Sequence, residues 1–326
     1  MINQLLLTGG TGFFGRAVLR SIQQRRDAGT SEFQVETLSR DPGNFSRQYP
    51  DLASQPWLRV LPGDILDRKS FSSLSTPDWV LHAAADSTHP GALTPRTRYE
   101  QIVDGTRNVL DFAVKKGGRR FLFISSGGVY GPQPPDVARI SEDFLGMPDP
   151  LLTSSTYGVA KRAAEHLCAV TGNETGMSVV IARCFAFVGE DLPLDVHFAI
   201  GNFIRDALWA DEVVVRGDGL PIRSYMHQQD LADWLLALLE RGQGGRAYNV
   251  GSDLEISMLA LANLVVSVVS PGKPVRVLGG TVGSGGGTRY VPSIARAKKE
   301  LGLAITVPLA EAIRRTAEEA RRRGLC

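Results

Sequence analysis

Short apolar runs alternate with segments of helical periodicity from Gln4 to about Gly189, and this alternation constrains the fold more than any other feature of the chain. The six runs are QLLLTGG, FQVETLSR, WLRVLPGD, WVLHAAA, RRFLFISSGG and SVVIARCFAFVG, and helical spacing lies between them, as over residues 14–24 and 99–116. Strands and helices that alternate in this way form right-handed βαβ crossovers. The sequence therefore predicts an α/β fold of the Rossmann type, a doubly wound parallel sheet covered by helices on both faces.

The rhythm changes after Gly189. Loops lengthen, a helix is predicted over residues 198–210, and the segment TVGSGGGTRYVP is rich in glycine. We expect residues 1–188, with parts of 225–252, to form the sheet domain, and residues 189–326 to form mainly a smaller C-terminal α/β lobe. This lobe is expected to lie over the carboxyl edge of the sheet and to bind the substrate there.

Charge and cysteine usage exclude several classes of protein. The 326 residues include 36 basic and 34 acidic side chains, which cluster only in the C-terminal RRTAEEARRRG, a pattern typical of a solvated helix face. We therefore expect neither a nucleic-acid nor a membrane partner. Cys168, Cys184 and Cys326 lack metal-ligand or paired spacing, so we expect no metal site. The start MINQLLLTGG has no basic leader, which favours a cytoplasmic protein.

The first predicted strand ends in TGGTGFFGRAVL, where Gly9, Gly12 and Gly15 have the spacing G-x-x-G-x-x-G. Glycine lets the backbone turn sharply after a strand and approach a pyrophosphate, whose charge is held by the amides and dipole of the next helix N-terminus. A glycine-rich turn without a ligand is the alternative. The position between a strand and a helix, at the start of a βαβ series, favours a dinucleotide site.

The end of the second strand bears on which dinucleotide binds. An acidic residue there hydrogen-bonds a free ribose 2′-hydroxyl, whereas an arginine accommodates a 2′-phosphate. The sequence TLSRDP places Ser39 at the expected acidic position and Arg40 beside it, which favours NADP slightly over NAD. In the alternative, Asp41 folds back to the ribose and Arg40 is solvated.

Two further segments are expected to contact the cofactor. Asp64 ends the third strand in LPGDILD, at a position suited to the adenine. In the segment HAAA, Ala83, Ala84 and Ala85 leave space along which a cofactor can lie, and His82 is expected to be a packed core residue rather than a catalyst.

Tyr157 is followed four residues later by Lys161 in TSSTYGVAKRAAEH, which is predicted to begin a helix. A tyrosine is a poor base at neutral pH because its reference pKa is about 10. An ammonium one helical turn away favours the phenolate, so we expect Lys161 to bring the pKa of Tyr157 into a useful range and to hold the nicotinamide ribose. The phenol then shuttles a proton of a carbinol or carbonyl oxygen during hydride transfer.

The strand FLFISSGGVYG supplies a hydroxyl for the same oxygen. Ser126 is expected to hydrogen-bond the substrate oxygen together with Tyr157, whereas Ser125 is one residue out of phase and faces the other side of the strand. A strand-end cap is the alternative for Ser126. Tyr130 is expected to be a packing residue.

Taken together, these segments resemble the extended short-chain dehydrogenase/reductases that act on nucleoside-diphosphate sugars, UDP-galactose 4-epimerase among them. The resemblance rests on TGGTGFFG, GDILD, HAAA, SSGGVYG, STYGVAK, GDGLPIRSYMHQQDLADWL and YNVGS, and extends from Leu5 to about Leu303. It implies a nucleoside-diphosphate sugar as substrate, a Ser126, Tyr157 and Lys161 triad, and a homodimer.

The resemblance also implies roles for individual positions. Cofactor contacts are expected from Gly9, Thr11, Gly12, Phe13, Phe14, Gly15, Ser39, Arg40, Asp64, Ile65, Ala83, Ala84, Ala85, Tyr157 and Lys161. Substrate contacts are expected from Ser126, Gly127, Tyr157, Asn202, Arg223 and Arg289, with Arg223 at the pyrophosphate because its planar fork grips phosphate oxygens bidentately.

The chain departs from these relatives at several positions. Sugar-nucleotide 4,6-dehydratases carry an Asp-Glu pair directly after the catalytic hydroxyl, where this chain has Gly127 and Gly128. Elimination of water then lacks its usual acid and base. Ala186 and Ile102 stand where many relatives have asparagine, and Arg289 is the candidate for a C-terminal arginine that has no clear counterpart.

The reaction that remains is oxidation or reduction at a sugar carbinol, for which we expect C4. A 4-epimerase and a 4-ketoreductase share this machinery, and the pair Ser39 and Arg40 favours the reductase slightly. The alternatives are a 4,6-dehydratase with an altered acid and base, and a dinucleotide-binding sensor or scaffold without catalysis.

Overall fold

The central element of the fold is a parallel sheet of seven strands. The computed structural model describes residues 3–85, 93–196, 198–279 and 288–324. Its strands are β1 Gln4–Thr8, β2 Gln34–Ser39, β3 Leu58–Pro62, β4 Trp79–His82, β5 Arg120–Ser126, β6 Ser178–Cys184, β7 Phe187–Val188, β8 Val213–Val215, β9 Ile222–Ser224, β10 Met226–His227, β11 Arg246–Val250, β12 Glu255–Ser257, β13 Val275–Val277 and β14 Arg289–Tyr290. The seven strands have the order β11-β6-β5-β4-β1-β2-β3, and every neighbouring pair is parallel. The predicted Rossmann-type sheet is thereby confirmed.

Helices cover both faces of this sheet. They are α1 Phe13–Asp27, α2 Pro42–Gln48, α3 Pro50–Ala53, α4 Pro95–Lys115, α5 Thr156–Thr175, α6 Ala199–Trp209, α7 Gln228–Arg241, α8 Met258–Val269, α9 Ala295–Leu301 and α10 Leu309–Arg323. Side chains alternate along β1, so that Leu5 and Leu7 pack in one core with α1 and α7, and Leu6 packs in the other core with α4 and α5. A strand buried on both faces reads as a continuous apolar run, which explains the sequence QLLL.

A third hydrophobic core lies in the C-terminal part of the chain. It is formed by α6, α8 and α10 together with β8. Short sheets accompany it, with β8 beside β13 and β9 between β12 and β14. The chain returns to the central sheet at β11, which pairs with β6.

Buried charges join this part of the chain to α1. Asp191, whose side chain is fully buried, pairs with Arg16 and Arg20 of α1 at 3.2 and 3.3 Å and with Arg323 of α10 at 3.3 Å. The three arginines hold the pKa of the Asp191 carboxyl below its usual range although burial opposes them. The C-terminal helix is thus fastened beside the glycine turn. In the described part of the chain, no helix is both long and apolar enough to cross a bilayer.

Candidate cofactor and active site

A cavity of about 280 Å³ lies at the carboxyl ends of β1, β2, β3 and β4. Its walls include ten of the residues predicted from the sequence to bind the cofactor: Gly9, Thr11, Gly12, Ser39, Arg40, Asp64, Ile65, Ala83, Ala84 and Ala85. Leu38, Gly63 and Gln101 also line it and were not predicted. Ligands of open α/β sheets bind in this crevice.

Two glycines shape the turn that opens the cavity. Gly9 has φ +74, and a Cβ there would lie 2.8 Å from the backbone of Ala83 and Ala84. A Cβ at Gly15 would lie 2.3 Å from the Gly9 carbonyl oxygen, so α1 can approach the turn only without a side chain there. A Cβ at Gly12 would meet only that same carbonyl, at 3.4 Å. The N-terminus of α1 therefore stays open toward an anion, and the turn fits a pyrophosphate.

The polar side chains that follow β2 differ in whether they are hydrogen-bonded. The Ser39 Oγ accepts from the Asp41 amide at 3.2 Å, and the Asp41 carboxylate accepts from the Asn44 amide at 2.8 Å as the N-cap of α2. Asp41 is thus held by its helix rather than turned toward the cavity. Arg40 is exposed at the cavity wall and makes no ion pair with any residue that the structure describes. Among the described residues, this guanidinium therefore has no carboxylate partner at the end of β2.

The remaining predicted cofactor residues serve packing as well. Asp64 accepts from the Leu66 amide at 2.9 Å, which fixes the turn after β3. Phe13 packs against both the first and the third core, and the ring of Phe14 lies edge-on to Phe187 with centroids 5.2 Å apart. The cavity walls do not include Phe13 or Phe14.

Ser126, at the end of the next strand along the same sheet edge, lies beside Tyr157 of α5. Ser126 ends β5, is 8% exposed, and its Oγ accepts from the Gly128 amide at 3.0 Å. A Cβ at Gly128 would lie 3.4 Å from that oxygen and 3.9 Å from the Tyr157 ring. Tyr157 is in the first turn of α5, and the nearby Ser126 hydroxyl acts to lower its pKa. The structure thus brings together two of the three predicted catalytic side chains.

Lys161 lies one turn further along α5 but is aimed differently from the prediction. Its ammonium donates to the Ile124 carbonyl at 2.7 Å and lies 4.8 Å from the centroid of the Phe123 ring, against 6.0 Å from that of Tyr157. Burial lowers the pKa of Lys161 to about 8. The amine is therefore satisfied by the strand backbone and not by the phenol hydroxyl.

The expected lowering of the Tyr157 pKa by Lys161 is not found. Burial raises the pKa of Tyr157 to about 12, and the influences that oppose it are the Ser126 hydroxyl and the Arg98 guanidinium. Desolvation of the phenolate by the surrounding protein outweighs the attraction of these groups. Arg98, from the first turn of α4, was not predicted as part of this environment.

A buried polar network lies behind the site. The Ser125 Oγ donates to Glu165 of α5 at 2.5 Å, so its hydroxyl is engaged in this network. Glu165 pairs with Arg183 at 2.7 Å, and Arg183 also donates to the Tyr130 hydroxyl at 3.0 Å. Tyr130 in turn donates to Asn249 at 2.8 Å and is 1% exposed, which confirms its packing role.

His82 is a core residue, as predicted. Its ring nitrogens hydrogen-bond the hydroxyls of Thr8 at 2.6 Å and Thr106 at 3.1 Å. Burial, together with the nearby Lys161, lowers the pKa of His82 to about 3. A neutral, fully bonded imidazole has no proton-transfer role at neutral pH.

Arg223 lies next to Tyr290, a tyrosine that is close to Ser126. Its guanidinium donates to the carbonyls of Ile222 and Thr288, both at 2.8 Å, and burial lowers its pKa. Among the described residues it has no carboxylate partner. Arg223 is in register with Tyr290 of the neighbouring strand, so both side chains leave the same face. A Cβ at Gly127 would lie 2.6 Å from the Tyr290 hydroxyl, which places that phenol beside Ser126.

The other two predicted substrate residues lie elsewhere. Arg289 precedes Tyr290 and leaves the opposite face of β14, where it pairs with Glu255. Asn202 lies on α6, and its side-chain oxygen accepts from Arg205 at 3.1 Å. The structure does not bring either of them to Ser126.

Tyr290 is a further site residue that was not predicted from the sequence. The segment TRYVP follows a run of glycines, and the prediction there was Arg289. Because side chains alternate along a strand, Arg289 and Tyr290 lie on opposite faces of it. Alternation alone does not choose between the two, because the choice depends on the pairing of β14 with β9, which puts the phenol on the face of Arg223.

Comparison with known proteins agrees with the geometry. Residues 5–251 match the NAD dependent epimerase/dehydratase family. The chain is 31% identical over 314 residues to UDP-glucuronic acid decarboxylase 6 of Arabidopsis thaliana, covering 95% of this chain and 86% of that protein. It is 30% identical over 240 residues, 73% of its length, to UDP-glucuronic acid decarboxylase 1 of Xenopus tropicalis, of which it spans 56%.

Solved structures share the fold over almost the whole chain. A UDP-glucose 4-epimerase of Thermotoga maritima, determined with UDP-glucose, superposes with a TM-score of 0.83 at 23% identity over 98% of this chain and 99% of that one. RMD of Pseudomonas aeruginosa, complexed with NADPH, superposes with a TM-score of 0.77 at 25% identity over the same shares. The motif resemblance is thereby confirmed, and the chain belongs to the NAD dependent epimerase/dehydratase family of extended short-chain dehydrogenase/reductases.

Proposed function

We propose that the protein transfers hydride at C4 of a nucleoside-diphosphate sugar, as a 4-ketoreductase or a 4-epimerase. The observation that carries the proposal is the pair Ser126 and Tyr157, placed side by side at the end of β5 with Lys161 one helical turn on. The dinucleotide cavity occupies the ends of the adjacent strands of the same sheet. A phenol, a hydroxyl and a nicotinamide site so arranged suit redox chemistry at a carbinol.

Each side chain has a defined task in this mechanism. Tyr157 gives a proton to the C4 oxygen or takes one from it, and Ser126 donates a hydrogen bond to the same oxygen. Lys161 keeps a positive charge at neutral pH, since its pKa is about 8, and is the candidate to hold the nicotinamide ribose. When bound, the dinucleotide supplies the hydride acceptor and donor.

The pKa of Tyr157 bears on the direction of the reaction. With a pKa of about 12, the phenol carries its proton at neutral pH, which is the state that reduction requires, whereas oxidation requires the phenolate. This asymmetry supports the 4-ketoreductase over the 4-epimerase. Arg40 supports the same choice, because an exposed guanidinium at the end of β2 favours NADPH.

Arg223 is the proposed anchor for the substrate diphosphate. Its guanidinium lies on the face that Tyr290 shares, and it has no carboxylate to neutralise it among the described residues. A half-buried arginine of this kind gains most from an anionic ligand. The lobe formed by α6, α8 and α10 is the proposed platform for the nucleotide.

Elimination of water is less well supported. Gly127 and Gly128 provide no acid or base directly after Ser126. Decarboxylation is a second candidate, favoured by the similarity to UDP-glucuronic acid decarboxylases. A C4 ketone makes a C5 carboxylate a β-keto acid, and loss of CO₂ from it needs no protein base at positions 127 and 128.

A homodimer is the proposed assembly. The outer surface of α4 and α5 carries exposed Tyr99, Val114 and Val170. Apolar side chains on two adjacent helices suit an isologous four-helix contact with a second copy. Sedimentation of the wild-type protein and of Val114→Asp tests this, since the charge should shift the species from dimer to monomer.

A panel of sugar nucleotides tests the proposed reaction. The protein is incubated with UDP-, dTDP-, CDP- and GDP-sugars, their 4-keto forms and UDP-glucuronic acid, with NADH or NADPH, and products are identified by NMR. The proposal expects a change confined to C4, lost in Tyr157→Phe. Binding of dinucleotide without turnover of any member would support the sensor or scaffold alternative instead.

A further inference from the structure

We propose that Tyr290 is a positioning residue that fixes the direction in which the Ser126 hydroxyl donates its proton. The consequence for turnover rests on the proposed C4 chemistry, whereas the arrangement itself rests on the contacts of four residues around Ser126.

The Tyr290 hydroxyl is held in one place. A Cβ at Gly127 would lie 2.6 Å from it and 2.8 Å from the Phe185 ring, so both aromatic side chains rest directly on this glycine. The rings of Phe185 and Tyr290 are packed with centroids 4.6 Å apart at 35°. On its other side, Tyr290 is in register with Arg223. The phenol thus points at the residue that follows Ser126.

The hydrogen-bonding capacity of Ser126 completes the argument. A serine hydroxyl offers one proton and two lone pairs. The Gly128 amide fills one lone pair at 3.0 Å. The Tyr290 hydroxyl, which lies 2.6 Å from the Cβ position of the next residue, is the proposed donor to the other lone pair, and burial raises the Tyr290 pKa, so that this phenol stays protonated. With both lone pairs used, the serine proton is left for Tyr157 or for the substrate oxygen beside it.

This arrangement gives Gly127 a different task from the predicted substrate contact. Any side chain at position 127 would displace the Tyr290 hydroxyl or the Phe185 ring, since both lie within 3.0 Å of its Cβ position. Glycine is required there by the phenol above it. The same phenol occupies space that a carboxylate at position 127 would need.

A fluorine probe tests the arrangement without turnover. The probe is 3-fluorotyrosine at position 157 of the full chain, with NADP added, observed by ¹⁹F NMR. The proposal expects Tyr290→Phe to shift this resonance in the wild-type background and to leave it unchanged in the Ser126→Ala background. Gly127→Ala should give a similar shift, because its methyl group displaces the phenol. An unchanged resonance in both variants, or the same shift without Ser126, would overturn the proposal.

Kinetics with the active sugar nucleotide provide the second readout. Tyr290→Phe should lower kcat about tenfold, the effect of one well-placed hydrogen bond, with KM within about twofold. The control is Tyr248→Phe, which removes a phenol hydroxyl bonded to Glu300 at 2.8 Å outside the site and should leave both constants unchanged. A rise confined to KM would contradict positioning and make Tyr290 a substrate contact.

The two arms separate this inference from the proposed function. A chain that converts no sugar nucleotide but shows the Ser126-dependent shift refutes the C4 chemistry and keeps the role of Tyr290. If the protein converts a sugar nucleotide but Tyr290→Phe leaves the resonance unchanged, only the role of Tyr290 is refuted.

Discussion

Replacing Lys161 with methionine is expected to stabilise the fold at neutral pH while it removes activity. Lys161 is 3% exposed, and burial lowers its pKa to about 8. Because this value lies below that of the unfolded chain, about 10.4, the unfolded state binds more protons between these two values. The free energy of unfolding therefore rises with pH through that window. At pH 7, below both pKa values, burial of the ammonium lowers the free energy of unfolding by about 3 kcal/mol.

The methionine removes this penalty but also a hydrogen bond. Lys161 donates to the Ile124 carbonyl at 2.7 Å, and leaving that buried oxygen unpaired costs about 1–2 kcal/mol. The net expectation is a variant about 1–2 kcal/mol more stable than wild type at pH 7 and less stable at pH about 10, where the penalty has largely gone. Lys161 is thus retained although its buried ammonium destabilises the fold, which agrees with its proposed role at the nicotinamide ribose.

Urea unfolding at the two pH values measures the effect. The informative quantity is the difference between Lys161→Met and wild type, since the other titrating groups are common to both proteins. Lys69→Met, at an exposed lysine, is the control and should follow wild type throughout. Parallel curves for Lys161→Met and wild type would refute the assignment of a depressed Lys161 pKa.

Three other substitutions test neighbouring parts of the account. Glu165→Gln breaks the buried pair with Arg183 and should lower the free energy of unfolding by about 3–5 kcal/mol, whereas Glu311→Gln on the surface of α10 should change it little, both measured by urea denaturation. Gly9→Ala places a Cβ 2.8 Å from backbone at φ +74 and should abolish dinucleotide binding in a fluorescence titration with NADPH. Arg40→Ala should weaken NADP about tenfold or more and leave NAD unchanged by calorimetry, whereas equal losses for both would contradict its contact with a 2′-phosphate.

Most of the sheet was predictable because its signal is local. Strands buried on both faces, such as Leu5 to Leu7, read as unbroken apolar runs, and alternation with helices fixes a parallel order. The ends of helices were harder to predict. The helix expected from residue 99 begins at Pro95, because Thr94 caps it and its first turn is polar and carries no apolar period.

The site was predictable only where its chemistry lies within one segment. Tyr157 and Lys161 share a helix, and the spacing of four places them together. The direction of the Lys161 amine depends instead on the Ile124 carbonyl of another element, and the contribution of Tyr290 depends on the parallel pairing of β9 with β14. Such contacts between distant segments leave no pattern in the sequence.

The fate of a deuterium label tests the central claim most directly. A 4-keto sugar nucleotide is reduced with NADPH that carries deuterium at the transferable position, and the product is examined by NMR. The account predicts deuterium at C4 of the sugar for the wild-type protein and none for Tyr157→Phe. Deuterium at another carbon, or an equal yield of labelled product without the Tyr157 hydroxyl, would contradict it.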